Sequence, residues 1–434
     1  MYNQFQTIAN LCGRKICMNF MIVPKPLFSG KMEVEGYYMA SQYGNAILES
    51  TKSNPFDRAM DSPLIDFMNV VGLDALTQNK PIFIPVTQIQ LATELVTNIT
   101  EPPEKIVFLL SDSVVPDEMA LERCEHFRKM GYKFAAIYKG NERAIEPFAP
   151  YISFVFLQVS MGKLIEHSLK VKKLFPGTTI VATDISDKVI FDNIVLHRDS
   201  KIALFDGAFY KVRIPTDSKQ NALSPLKTNY IQLLNIVNQD DFDFKSFTGT
   251  VMRDPGLAVN FMRLVNNASK SRSEIKNLNQ AAAMLGQKEI KKWVSTAVSN
   301  ALCVDSPSEI TRLSLIRAKF CENMAPHFEM AMAQENLFLM GLFSVLDVVL
   351  DIPIEEAFKM VFVPPPIYNA LVSKQGDFYS VLFFIQQYEF GHWKEISRIA
   401  LVRNISIENI HFAYKDALLW YSDLINFTDT ESEM

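Results

Sequence analysis

Neither a CxxC nor an HxxxH pair occurs in this chain. Its five cysteines (Cys12, Cys17, Cys124, Cys303, Cys321) are scattered, with no CxxC, so neither a zinc site nor a disulfide framework is indicated. A reducing cytoplasm is the expected compartment. None of the six histidines (His126, His167, His197, His327, His392, His411) has an HxxxH partner, and none is followed by aspartate. Phosphate-cradling P-loops, GxGxxG and GxSxG are missing as well. So is any basic excess: 43 Lys and Arg stand against 48 Asp and Glu, for a net charge of −5. That argues against a general nucleic-acid binder, which displaces counterions from phosphates with a basic surface. No apolar run reaches the roughly 20 residues that a membrane-crossing helix needs. The most apolar, Leu337 to Leu350, is interrupted by Ser344 and Asp347. Cys17 to Val23 is cut short by Pro24 and Pro26, so residues 1–20 are expected to be an N-terminal arm and not a signal peptide.

What is present is a chain of 434 residues, 48% hydrophobic, enough for two or three domains at roughly 100–200 residues each. Between residues 80 and 210 short apolar runs alternate with amphipathic stretches. The runs Pro81 to Val86, Ile106 to Leu110, Lys133 to Tyr138, Ile152 to Val159, Thr179 to Ile185 and Lys201 to Phe205 predict strands buried on both faces. Pro116 to Met130 predicts a helix, with acids in its first turn, Arg128 and Lys129 in its last, and Gly131 as its stop. Ala120, Cys124 and Phe127 share one face of it, so Cys124 is expected in the core. Lys170, Lys172 and Lys173 are expected to close another helix and complement its dipole. Such alternation implies a parallel sheet, and over this length a closed barrel. Residues 214–225 are polar and punctuated by proline, a linker composition. Beyond them the pattern turns helical. Asp254-Pro255 starts one helix, and Leu257, Phe261, Leu264 and Ala268 form its buried stripe. Further helices are predicted over Leu278 to Asn300, Glu309 to Met324, Asn336 to Leu350, Gly376 to Tyr388 and Ile407 to Ile425.

The two halves together resemble a bacterial signal-transduction family that joins an EAL domain to an HDOD domain. The first-half resemblance rests on Met21 to Phe28, Gly131-Tyr132 and Phe205-Asp206-Gly207. The second-half resemblance is carried by Arg253 to Leu257, Leu264 to Ala268, Ile275 to Gly286, Leu315 to Glu322 and Phe338 to Ser344. The expected fold class is α/β plus all-α: a TIM-barrel-like EAL domain followed by an all-helical HDOD domain. The boundaries read as arm 1–20, degenerate EAL-like barrel 21–215, linker 216–225, HDOD domain 226–425 and acidic tail 426–434.

Active EAL domains hydrolyse cyclic di-GMP with two divalent ions, and such ions want hard oxygen ligands. The resemblance places the family's motif glutamate on Tyr38 and its phosphate-contacting arginine on Gln42. The ligand asparagine falls on Pro85 and the next glutamate on Leu109, with Asp112 nearby. The paired aspartates fall on Ile137 and Tyr138, the lysine and aspartate of the following strand on Phe156 and Gln158, and the late glutamates on Thr183 and Ser186, around Asp184. Lys25 stands where a glutamine precedes proline. The histidine–aspartate pair of HD phosphohydrolases would fall on Ser344-Val345. With these chemistries absent, the sequence predicts no enzyme, no catalytic, cofactor or metal residues, and no cofactor. It predicts instead a signal-transduction scaffold that acts on regulatory proteins, without nucleic acid or a membrane span, and with homo-oligomerisation left open. The alternative is a receptor that binds cyclic di-GMP or another nucleotide, with residual phosphodiesterase activity behind it.

Overall fold

The computed structural model describes residues 20–47, 63–93, 99–111, 114–212, 225–239, 242–268, 277–302, 308–361 and 363–429. Nearly all of the expected arm, most of the expected linker, Asp112 and the end of the acidic tail lie outside the described residues. The chain forms two compact units. One takes the residues up to Tyr210 together with those from Phe384 onward, and the other takes Lys211–Phe383. The helical domain expected over 226–425 thus divides between the units at residue 384.

In the first unit eight strands close into a barrel in chain order. They are β1 (Phe20–Ser29), β2 (Val34–Tyr43), β3 (Ile82–Val86), β4 (Ile106–Leu110), β5 (Lys133–Tyr138), β6 (Ile152–Gln158), β7 (Thr179–Ile185) and β8 (Ile202–Gly207). The six strands read from β3 to β8 form within two residues of their expected limits. The expected parallel pairing holds from β3 to β8, and at the start of the barrel β1 runs antiparallel to β2 and β8. Only residues 30–33 join β1 to β2, too few for the crossover of a dozen or more residues that a parallel pair needs. The interior is filled by Leu27, Phe83, Val107, Leu109, Ala135, Phe156 and Val181, all buried, so the barrel is a packed core and not a pore. The helix after β4 is Glu118–Lys129, with Asp117 as its N-cap accepting from the Ala120 N–H at 2.8 Å. Cys124 is buried on its inner face and burial pushes its thiol up to about 12.

β8 pairs with β1 only at Phe28 and Ser29, which leaves the earlier part of that edge without a strand. Backbone groups alternate sides along a strand, so Ile22, Pro24 and Pro26 all face this edge. The prolines have no N–H to leave unpaired there. Ile22 does, and the Tyr388 hydroxyl resolves it by accepting from the Ile22 N–H at 3.0 Å and donating to the Ile22 carbonyl at 2.9 Å. Tyr388 belongs to the helix Asp377–Phe390, which is followed by the helices Trp393–Val402 and Ile407–Asp429. The last of these packs on β1 and on the helix Pro63–Thr77. His411 is buried there between Phe20 and Phe67, at ring separations of 4.6 and 5.1 Å. Its Nδ1 lies 3.1 Å from the Phe20 carbonyl. A carbonyl only accepts, so Nδ1 carries a proton.

In the second unit the helices Ser308–Met324 and Gln334–Phe343 cross closely at Gly341. A Cβ added there would lie 2.6 Å from the Ala318 Cα. The Ser314 hydroxyl donates to the Leu342 carbonyl at 2.9 Å across the same crossing. The single helix expected over Leu278 to Asn300 is two, Leu278–Leu285 and Gln287–Leu302, because Gly286 adopts φ 79 between them. Likewise, the helix expected over Asn336 to Leu350 breaks at Ser344 and Val345 into Gln334–Phe343 and Leu346–Leu350.

Gly341→Ala is expected to destabilise the protein by about 1–3 kcal/mol in urea unfolding, since backbone and not a flexible side chain opposes the methyl group. Gly249→Ala has nothing within 4 Å of the new atom and is expected to be neutral or stabilising by up to about 1 kcal/mol. A second expectation concerns acid. Burial holds the His411 imidazole down at about 4, against 6.5 for the free group, with the nearby Lys415 charge adding to the effect and the Phe20 carbonyl opposing it. Below 6.5 the unfolded chain binds a proton that the folded chain refuses. Stability therefore falls as pH drops from about 6.5 to about 4, by on the order of 3 kcal/mol. Melting curves of the native chain and His411→Asn across that window check this, the variant losing less.

Candidate functional site

The C-terminal ends of the seven parallel strands gather at one end of the barrel, where such folds place their chemistry. Side chains alternate inward and outward along each strand. The interior residues fix the alternation, and it turns Lys25, Tyr38, Pro85, Leu109, Ile137, Phe156, Gln158, Thr183 and Asp206 toward the barrel axis. The positions singled out from β2 to β7 therefore do converge. Tyr138 does not. It faces outward, where its hydroxyl donates to Glu142 Oε1 at 2.8 Å. Lys170 reaches Glu142 too. These two hydrogen bonds, Lys170 first, pull the Glu142 carboxyl down to about 2, and the Tyr138 phenol is pushed up to about 12, chiefly by burial. Ser186 lies just past β7 and donates to Asp187 Oδ2 at 2.8 Å. Gln42 turns its amide to the Tyr43 carbonyl at 2.9 Å.

Beneath the mouth is an aromatic floor. Phe83 meets Phe154 and Phe156 at ring separations of 4.9 and 5.5 Å, and Tyr38 meets Phe156 at 6.1 Å. Above it stand polar groups that the sequence reading left without a role. Asp206, 6% exposed, is brought inward by β8. Asp184 sits at φ 64 where the β7–β8 register shifts, a bulge that re-aims side chains. Its Oδ2 accepts weakly from Gln158 Nε2 at 3.4 Å. Gly207 makes this close approach possible, because a Cβ there would meet the Ile185 carbonyl oxygen at 2.0 Å. The Tyr38 phenol is pushed up to about 12 by burial first, then by the charges of Asp206 and Asp184. The period-two pattern ending Leu204-Phe205-Asp206 was the signal that would have found Asp206, since Leu204 packs against the barrel core.

Two divalent ions would need about a dozen oxygen ligands between them. Among the described strand residues the acids placed at the mouth are Asp206 and Asp184, and no group of three or more His, Cys, Asp or Glu comes together among the described residues. The residues present do not fit a two-ion centre of the kind the resemblance implies. In the second unit, Ser344 and Val345 likewise offer no carboxylate or imidazole. Ser344 Oγ accepts from the buried Arg317 guanidinium at 2.7 Å and donates to the Gly341 carbonyl at 2.6 Å. Among the described residues no helix is long and apolar enough to cross a membrane.

Residues 223–352 match the HDOD domain family. A relative from Bacillus subtilis (strain 168), the uncharacterized protein YuxH, is 25% identical over 419 residues, covering 94% of this chain and 100% of the relative. The cyclic di-GMP phosphodiesterase CdgJ from Vibrio cholerae serotype O1 is 26% identical over 409 residues, covering 93% of this chain and 92% of the relative. Among solved structures, an EAL domain protein from Listeria monocytogenes EGD-e aligns at TM-score 0.35 and 12% identity, over 44% of this chain and 87% of that one. A standalone EAL protein from Vibrio cholerae O395 in its c-di-GMP bound form aligns at TM-score 0.35 and 16% identity, over 44% and 90%. The chain thus carries an HDOD domain match in its C-terminal half and is similar along nearly its whole length to a cyclic di-GMP phosphodiesterase. The expectation that it is not an enzyme is corrected by CdgJ, a relative along nearly its whole length that is a phosphodiesterase. That expectation took the loss of family motif positions as decisive. It gave no weight to the polar groups at the rim.

Replacing Asp206 by Asn is expected to lower the Tyr38 titration midpoint from about 12 while leaving it above 10, because burial is the larger cause. Carbon-13 NMR of labelled tyrosine across pH 9–12.5 checks it, and an unchanged midpoint would separate the two residues electrostatically.

Proposed function

We propose that this chain acts in cyclic di-GMP signalling as a scaffold whose output is carried by contacts with regulatory proteins. The observation that carries this reading is the mouth itself. Pro85, Leu109, Ile137 and Phe156 converge there and offer carbon where the resemblance implies oxygen or nitrogen. Meanwhile the Gly341–Ala318 crossing and the Arg317–Ser344 bond hold the HDOD region as a packed body at the former HD position. Co-purification from the native host, followed by reconstitution with the recovered protein, is expected to yield a complex of defined stoichiometry. Failure of any recovered protein to bind the pure chain sinks the scaffold reading.

A second reading assigns cyclic di-GMP to the mouth as ligand or substrate. It draws on the name of the Vibrio cholerae relative and on the rim, where Lys25, Tyr38, Gln158 and Asp206 surround an aromatic floor. Apolar pockets with a few convergent polar groups are the usual form of small-molecule sites. Calorimetric titration of cyclic di-GMP into the full chain with Mg²⁺, followed by analysis for the linear dinucleotide, tests it directly. Saturable heat establishes a receptor, linear product establishes turnover, and neither leaves protein contact as the sole output.

A further inference from the structure

The stretch Tyr388–Ser397 reaches the barrel at three places, all toward the end where the strands finish. β1 runs against the other strands, so its first residues stand beside the last of β2, with Phe20 opposite Tyr43. Tyr388 holds both backbone groups of Ile22 in this part of β1. Gly391, at φ 71, turns the chain so close to Lys25 that a Cβ on it would lie 3.7 Å from the lysine Cε and 3.5 Å from the Trp393 ring. Lys25 is the strand partner of Tyr38 and faces the barrel axis with it. Ser397, fully buried, closes the third contact. Its hydroxyl accepts from the Ala46 N–H at 2.8 Å, and its carbonyl accepts from the Asn45 side-chain amide at 3.1 Å. Asn45 and Ala46 lie in the chain leaving β2.

We propose that Tyr388–Ser397 is a clasp that sets access to the barrel mouth, holding the paired ends of β1 and β2 in place when latched and letting them swing away as one hairpin when released. The strand edge it covers suits release. Pro24 and Pro26 have no N–H to expose, and β8 pairs only with Phe28 and Ser29. Letting go therefore costs the hydrogen bonds and the burial of Tyr388 and Ser397, and breaks no β1–β8 ladder. The positive φ of Gly391 provides a turn that a side chain would strain, so the two anchoring residues are joined through a fixed bend. The clasp is a property of access and does not depend on what enters the mouth.

The test accordingly uses no nucleotide. A thiol is placed at the rim by Gln158→Cys in the full chain, and its labelling by a small maleimide is followed by peptide mass spectrometry at that position. Adding Tyr388→Phe and Ser397→Ala is expected to speed labelling at least about tenfold, the behaviour of a locally opened element. Equal rates overturn the proposal. Because those changes can also loosen the whole fold, hydrogen exchange on the unaltered chain supplies the second arm. The Ile22 amide is expected to show protection lower by about a hundredfold or more than the Ala136 amide in β5. Equal protection of the two overturns the proposal, since the clasp then opens only with global unfolding.

Discussion

The first unit depends on how one strand edge is satisfied. β1 closes the barrel against β2 along its length but meets β8 at two residues only. A barrel with an open, buried edge is unstable, since each stranded amide or carbonyl costs about 1–3 kcal/mol. Two prolines remove donors from that edge, and a single phenol from far along the chain satisfies the remaining residue in both directions. From this follows the burial of His411 beside Phe20 and the packing of the last helix on β1. The hydrogen bonds that join that helix to Gln78 and Asp74, through Tyr421 and Ser422, follow as well.

The interior obeys a related economy. A barrel mouth lined with carboxylates has to be hydrated or metal-bound to avoid like-charge repulsion. Here hydrocarbon occupies most of those positions, and the aromatic floor of Phe83, Phe154 and Phe156 extends up toward Tyr38. Asp206 is buried among these groups, and the Tyr38 phenol is raised by burial first and then by the charges of Asp206 and Asp184. Stability and chemistry therefore part company at this end. Carbon filling keeps the barrel packed, whereas polarity is concentrated where β7 bulges against β8 around Gly207. Counting lost motif positions says nothing about such a rim. That is why a full-length phosphodiesterase relative overturns a conclusion drawn from the losses alone.

Much of this was legible in the sequence. Continuous apolar runs bounded by turn residues located β3 to β8, because strands buried on both faces leave that mark irrespective of partners. The resemblance singled out Pro85, Leu109, Ile137 and Phe156, and the strand alternation seen in the structure turns them to one interior. What escaped notice was non-local. β1 carries two prolines, which locally argue against a strand, and only the absence of β8 beside them makes them acceptable. Tyr138 was read as part of the mouth with its neighbour Ile137, although strand geometry sends adjacent residues to opposite faces. The breaks at Gly286 and at Ser344-Val345 went unread because apolar residues resume beyond each, at Ile290 and Val294 and at Leu346, Val349 and Leu350.

The C-terminal helices show the limit most clearly. An amphipathic pattern declares that a face is buried and is silent on what buries it. Helices after residue 376 carry the same signature as those before it, so they read as one helical domain. Yet the HDOD match ends at 352, and the chain from Phe384 rejoins the barrel unit. In chain terms the second unit is an insertion between the barrel and the barrel's own final helices. A cut within 213–224 would not separate two self-sufficient domains. It would take Tyr388 from Ile22, His411 from Phe20 and Ser397 from the exit of β2, and leave the first unit with an edge that its remaining residues do not close.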